Sequence, residues 1–431
     1  MTKQEFVDKR TGETCVRIDH PSGLPIFVWP KPGYASSYAV FATRYGSIDN
    51  VFRMGEDTQE TEVPAGIAHY LEHKLFESED GDAFERYAAT GASANAYTSF
   101  DRTAYLFTCT GDIRPSLEIL LDFVQKPYFT KETVQKEQGI IGQEIRMCED
   151  SPSRCVFLNM LQALYAKHPV CIDIAGTVES ISRITPELLY GCYGSFYNLH
   201  NMVLAVAGNV TVQQVLEVAD RLLIPAKPWK LERGLHDEPR CVDNHRVEQV
   251  MPVAAPLFYL GFKEPVESGR YPSATQEMAA DVLLELIGGR SSDLYADLMK
   301  KGLINQSFGA EFFSGPGYAV SLFGGESRDP DAVAEAIYAR IDRLRREGID
   351  PQAFAAARNA QYGSMAAGLN NVEECGDMLV DDYLRGGEPF SMIAAAAQLT
   401  IADVQALLDK GMQKEAAVLS VILPESGKEK G

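Results

Sequence analysis

The sequence predicts an α+β protein of two tandem, structurally similar domains. Three observations predict it. At 431 residues the chain exceeds what one hydrophobic core usually organises. Strand-like and helix-like segments alternate along its first part. One pattern then recurs. Thr185 opens a helix ahead of the apolar run Val203-Leu204-Ala205-Val206, and Thr400 precedes Val418-Leu419-Ser420-Val421 at the same spacing (203 − 185 = 418 − 400). The offset, 400 − 185 = 215, is about half the chain, which a tandem duplication of one α+β unit explains.

Taken in order, residues 38–44 are β-rich, 64–77 read as a helix and 95–108 as a hairpin. Helical patterns follow over 113–125, 131–150, 154–165 and 186–197. Thr185-Pro186-Glu187 is a good helix start, with a hydroxyl to cap it and proline at the first helical position. Residues 202–207 form a short apolar strand, and 212–223 a further helix. The stretch from Pro225 to His245 is polar, proline-bearing and aperiodic, the pattern of a linker. Beyond it come a strand at 257–262, a helix at 275–287, a helix at 401–410 and a strand at 418–423. The expected division is therefore 1–225, a linker at 226–245, and 246–431.

Composition narrows the function classes. Hydrophobic residues make up 45% and charged residues 23%, a globular profile. The formal net charge of −20 repels nucleic acid and anionic membrane, so neither is an expected partner. The first ten residues contain no apolar run of the signal-peptide kind, and no apolar run approaches the roughly 18 residues of a membrane span. The eight cysteines form no CxxC pair, which predicts scattered thiols in a reducing compartment and argues against cysteine ligation of a metal. A cytoplasmic location is expected.

The strongest chemical signal is His69-Tyr70-Leu71-Glu72-His73. On a helix, positions i and i+4 share a face, so both imidazoles can address one metal ion. Glu72 sits at the edge of that face, within reach of a metal-bound water. Ile67, Leu71 and Leu75 form an apolar stripe on the other side. A catalytic zinc takes three protein ligands and keeps a position for water, whose proton a nearby carboxylate can accept. The third ligand must come from elsewhere. Glu137 and Glu144 are seven apart on the helical stretch 131–150, two turns along one face. Either carboxylate could complete a His2Glu set, with the other supporting the ligands around it.

HxxEH followed about seventy residues on by E-x6-E resembles the pitrilysin/insulinase family of inverted zincins. The likeness extends over most of the first half. Ala94-Asn95-Ala96-Tyr97-Thr98-Ser99 with Arg102-Thr103-Ala104-Tyr105 resembles that family's substrate-binding edge strand. Gly46-Ser47-Ile48-Asp49, Gly66-Ile67-Ala68 and Ala175-Gly176-Thr177 are similar to its other habits. The resemblance implies two similar domains, each an antiparallel-rich sheet packed with helices. It implies a zinc-dependent metalloendopeptidase with His69, His73 and Glu144 as zinc ligands and Glu72 as general base. Glu137 becomes a supporting carboxylate in the catalytic site. Asn95, Ala96 and Tyr97 would bind a peptide added as a strand. The chain length resembles the short, processing-peptidase-like branch, whose members pair into a four-domain shell around a chamber. The expected partner is a related chain, giving a heterodimer, or a second copy, giving a homodimer.

In one segment the chain departs from the family. Active members usually supply an arginine and a tyrosine from S-x-L-Y-x-x-L-R-x-x-G-L-x-Y, which clamp the substrate carbonyl. Here Ser292-Asp293-Leu294-Tyr295 leads to Met299 in the arginine position and Asn305 in the tyrosine position. Two readings follow: a catalytic subunit that receives its clamp from a related chain, or a non-catalytic scaffold or peptide-binding subunit that retains zinc. The intact Glu72, which binds no metal, favours the first. The peptide-edge resemblance argues against a hydrolase of some non-peptide substrate.

Overall fold

The computed structural model describes residues 1–55, 59–79 and 81–425. The chain forms two compact units. The first contains a seven-stranded sheet built from β1 (Thr2–Val7), β2 (Thr14–Asp19), β3 (Pro25–Pro30), β4 (Ser36–Thr43), β5 (Ser93–Thr98), β6 (Thr103–Thr110) and β7 (Met202–Gly208). Their order is β1-β2-β3-β7-β4-β6-β5. The central strand β7 is buried at every residue, and its continuous apolar run is what a strand covered on both faces needs.

The second unit holds β8 (Arg246–Met251), β9 (Leu257–Lys263), β10 (Gly309–Gly315), β11 (Tyr318–Glu326) and β12 (Ala417–Pro424), in the order β8-β12-β9-β11-β10. This repeats β3-β7-β4-β6-β5 of the first unit. In both, the last strand in sequence inserts in the sheet, parallel to one neighbour and antiparallel to the other. The pairing of the inserted strand repeats as well. Leu204 lies opposite Ile26 and Phe41, and Leu419, displaced by the same offset (419 − 204 = 400 − 185), lies opposite Arg246 and Leu260. Thr185 caps the helix Pro186–Phe196 and Thr400 caps Ile401–Lys410, each accepting from the N–H three positions ahead. The fold is α+β with two similar domains, as the offset between the two threonines predicted.

The units are not contiguous in sequence. The first combines Met1–Ile145, Asp173–Gly234 and Met365–Ser391; the second takes Arg146–Ile172 and the remainder. The helix Val372–Leu384 thus belongs to the first unit, where it packs on β4 and β7. Gly376 lies so close to Tyr38 that an added Cβ would come within 2.4 Å of its ring, and Tyr38 donates to Asp377 at 2.7 Å. The helix Pro152–Leu164 belongs to the second unit and packs on β12, β9 and β8, with Gly261 against Met160. The split at 226–245 does not describe these units, because an amphipathic helix buries its face against whichever sheet it reaches, and local pattern does not say which.

Nor is 225–245 a plain linker. Leu231–Arg233 pairs with Val51–Met54 in the first unit. In the second unit Glu238 accepts hydrogen bonds from the N–H groups of Ala166, Lys167 and His168 and pairs with Lys263. Polar, aperiodic sequence here marks specific anchoring. Among the described residues no single helix is long and apolar enough to cross a membrane.

Glu264, directly after β9, is 4% exposed. Burial pushes its carboxyl from 4.5 up to about 7, offset only in part by Ser321 and the N–H of Met412. The folded chain therefore binds a proton here that the unfolded chain releases between about pH 4.5 and 7. The stabilising contribution of the neutral acid is full below that window, declines through it and is absent above it. Glu264→Gln, neutral throughout, is expected to gain on the order of 3 kcal/mol relative to wild type between about pH 4.5 and 8. Urea unfolding of both proteins at each pH checks this, and parallel stability curves would exclude it.

Candidate metal centre

The helix α1 (Ile67–Leu75) carries His69, Glu72 and His73. Its start is fixed by two glycines. Gly66 has φ +90°, and a Cβ there would lie 2.4 Å from the carbonyl oxygen of Ala175; a Cβ on Gly176 would lie 2.5 Å from that of Ala65. Only glycine allows these two segments to approach so closely. The Ser180 hydroxyl then donates to Ala65 O at 2.8 Å. Ile67, Leu71 and Leu75 are buried, as the stripe predicted, which turns the histidine face toward the helix α2 (Lys131–Glu149). Val134, Ile141 and Ile145 anchor α2 in the core, and Tyr70 of α1 donates to Val134 O.

The ligand-type atoms of His69, Glu72 and His73 lie within 4.8 Å of one another. Glu144 reaches across from α2: its Oε1 is 3.5 Å from His69 Nε2, and its Oε2 is 3.5 Å from His73 Nε2. Tetrahedral zinc with bonds of about 2.0–2.2 Å separates its ligand atoms by roughly 3.4 Å. Two nitrogen–oxygen separations are close to that spacing, and imidazole with carboxylate is a donor set that zinc takes. Glu137, two turns earlier on α2, sits at the other nitrogen of His73, with Oε1 3.0 Å from Nδ1. That contact fixes the ring and leaves Nε2 facing Glu144.

The electrostatics agree with this division. Burial lifts the Glu72 carboxyl above its ordinary value, with His73 and the Thr98 hydroxyl opposing the rise. Burial also drives Glu137 upward, but the His73 hydrogen bond and the charges of His73, Lys74 and Lys136 together outweigh it, and Glu137 ends below its ordinary value. For His73, burial lowers the pKa, yet the Glu137 hydrogen bond and the charges of Glu72, Glu137 and Glu144 raise it overall.

The strand β5 is the outermost of its sheet and pairs with β6 alone. Ala94 and Ala96 turn to the core, while Ser93, Asn95 and Tyr97 are exposed on the opposite face. Asn95 Oδ1 accepts from the N–H of Ala96 at 2.9 Å. Thr98, the last residue of β5, turns inward and donates to Glu72 Oε2 at 3.0 Å. Sequence reasoning missed this contact. The inward alternation 94, 96, 98 is the signal that its hydroxyl points toward α1. In the second unit Met299, on the helix Asp293–Lys300, is 36% exposed. The Asn305 amide is engaged locally, donating to Glu326 at 2.6 Å and accepting from the N–H and hydroxyl of Ser307.

Comparison with known proteins shows the family. Residues 55–178 match the family described as insulinase (peptidase family M16), and residues 183–361 match the peptidase M16 inactive domain. The chain is 38% identical to the uncharacterized zinc protease YmfH of Bacillus subtilis (strain 168), over 96% of this chain and 97% of YmfH. The crystal structure of an M16-like peptidase from Alicyclobacillus acidocaldarius is 37% identical and superposes with a TM-score of 0.90, with 98% of both chains covered. A protease from Helicobacter pylori shares the fold at 19% identity and a TM-score of 0.81, over 98% of this chain and 99% of that one. Similarity along nearly the whole length shows that the chain belongs to the insulinase family of peptidases, M16.

Proposed function

We propose that the protein is the zinc-binding, catalytic subunit of a cytoplasmic metalloendopeptidase that hydrolyses short or unfolded peptides. One observation carries the reading: the Glu144 carboxylate spans the two imidazoles of α1, with one oxygen 3.5 Å from each Nε2, close to the ligand spacing of a tetrahedral zinc site. His69, His73 and Glu144 would hold the ion, which when bound polarises water and lowers its pKa toward neutrality. Glu72 accepts the proton of the attacking water and returns it to the leaving amine. Glu137 holds the His73 ring. Asn95, Ala96 and Tyr97 on β5 would align an extended peptide by strand addition, which requires a free backbone and so disfavours folded substrates.

Met299 cannot donate a hydrogen bond to an oxyanion, and the Asn305 amide is committed to Glu326 and Ser307. We therefore assign the substrate clamp to a related partner chain. The same observation supports the alternative, a peptide-binding or scaffold subunit with a retained metal. Metal analysis of the purified protein, with cleavage of pooled peptides before and after chelation, separates the two. The catalytic reading expects about one zinc per chain and cleavage lost on chelation and restored by zinc. Bound zinc without cleavage, even beside co-purifying related chains, would leave the scaffold reading.

Glu137→Gln tests the supporting shell. It is expected to weaken zinc binding by about 10–100-fold, read by competition with a chromogenic chelator, while Tm of the metal-free protein changes little. Unchanged zinc affinity would remove Glu137 from the site.

A further inference from the structure

We infer that Thr98 is a positioning residue that holds the general base and ties it to the strand on which the peptide would lie. This rests on the peptidase reading above and adds a residue to it. Thr98 Oγ1 lies 3.0 Å from Glu72 Oε2, and an ionised carboxylate can only accept, so the threonine is the donor. Behind it, Thr103 Oγ1 is 3.4 Å from Thr98 Oγ1 and donates to the carbonyl of Tyr45 at 2.9 Å. The Thr98 proton has two acceptors in reach, and the carboxylate is the nearer and the charged one, so it is directed at Glu72.

Two consequences follow from this arrangement. Oε2 of Glu72 is occupied by a donor, and among the described residues no hydrogen bond reaches Oε1. Oε1 is thus the less engaged of the two oxygens. A β-branched side chain is also stiff about χ1, so Thr98 transmits the position of its backbone to the carboxylate. That backbone is the end of β5, across the hairpin from Thr103. A peptide that orders β5 by pairing with it would, through Thr98, order the base as well. The role therefore belongs to turnover more than to binding.

The test compares Thr98→Val, which keeps the shape and removes the donor, with Thr98→Ser, which keeps the donor. In zinc-loaded full-length protein mixed with a clamp-bearing related chain, Thr98→Val is expected to lower kcat by about 10–100-fold with KM within about twofold, and Thr98→Ser to recover most of the loss. A readout independent of turnover is the 13C resonance of the Glu72 carboxylate in zinc-free protein labelled at glutamate Cδ, identified by its disappearance in Glu72→Gln. It should move in Thr98→Val and return in Thr98→Ser. Turnover by Thr98→Val equal to wild type, or an unmoved resonance, overturns this role and leaves the peptidase reading standing. Loss of zinc in Thr98→Val also overturns it, in favour of a structural role. If wild type shows no zinc-dependent cleavage even with a clamp-bearing related chain, the peptidase reading fails, and this role fails with it.

Discussion

Glu72→Gln is expected to keep its zinc and lose peptide hydrolysis, with a fall in kcat of at least about 10²–10⁴-fold. The amide is nearly the same size and can still meet the Thr98 hydroxyl through its carbonyl oxygen, so packing around α1 should survive. What it cannot do is accept a proton from water. His69→Ala and Glu144→Ala should behave differently, because each removes one of the atoms 3.5 Å apart that would hold the proposed ion. Those variants are expected to lose zinc along with activity. Zinc content and turnover measured on the same preparations distinguish the classes. Near-full turnover by Glu72→Gln would mean that the base is another group.

The second large effect concerns the partner. The chain alone is expected to cleave peptides weakly, and to gain about 10²-fold or more when mixed with a related chain that carries arginine and tyrosine in the clamp segment. Loss of a single oxyanion donor typically costs about 10²–10³ in rate, so supplying one or two restores at least that much. Two copies of this chain would lack both donors, since Met299 is a thioether and Asn305 is held by Glu326 and Ser307. Titrating the partner at constant concentration of this chain should give saturable activation. Full zinc-dependent turnover by a rigorously pure homomeric preparation would show that other residues here act as the clamp.

Several of these features could be read directly from the sequence. The i, i+4 histidines and the stripe Ile67, Leu71, Leu75 define one helix with two faces, and both faces are where helical period puts them. The pair Thr185 and Thr400 disclosed the repeat because capping hydroxyls and buried central strands are both local signals. The two carboxylates of α2 were a different matter. Glu137 and Glu144 share a face, and period alone could not say which one meets Nε2 and which meets Nδ1 of His73; family resemblance pointed to Glu144. Thr98 was hidden because threonine in a strand is usually there for its β-branched shape. The destinations of the helices at 152–164 and 372–384 were hidden more deeply, since they depend on contacts made far along the chain.

The helix Val372–Leu384 places a constraint on the order of events during synthesis. The strands β4 and β7 are complete once Gly208 has left the ribosome, but the helix that covers one of their faces is finished only at Leu384. At roughly 5–20 residues per second, that apolar face waits about 10–35 s for its cover. The second unit waits in the opposite sense, because Pro152–Leu164 is made before any strand of its sheet and its main partner, β12, is finished only at Pro424. The unit that carries His69, His73 and Glu144 is thus begun first and keeps one face open until Leu384 is made.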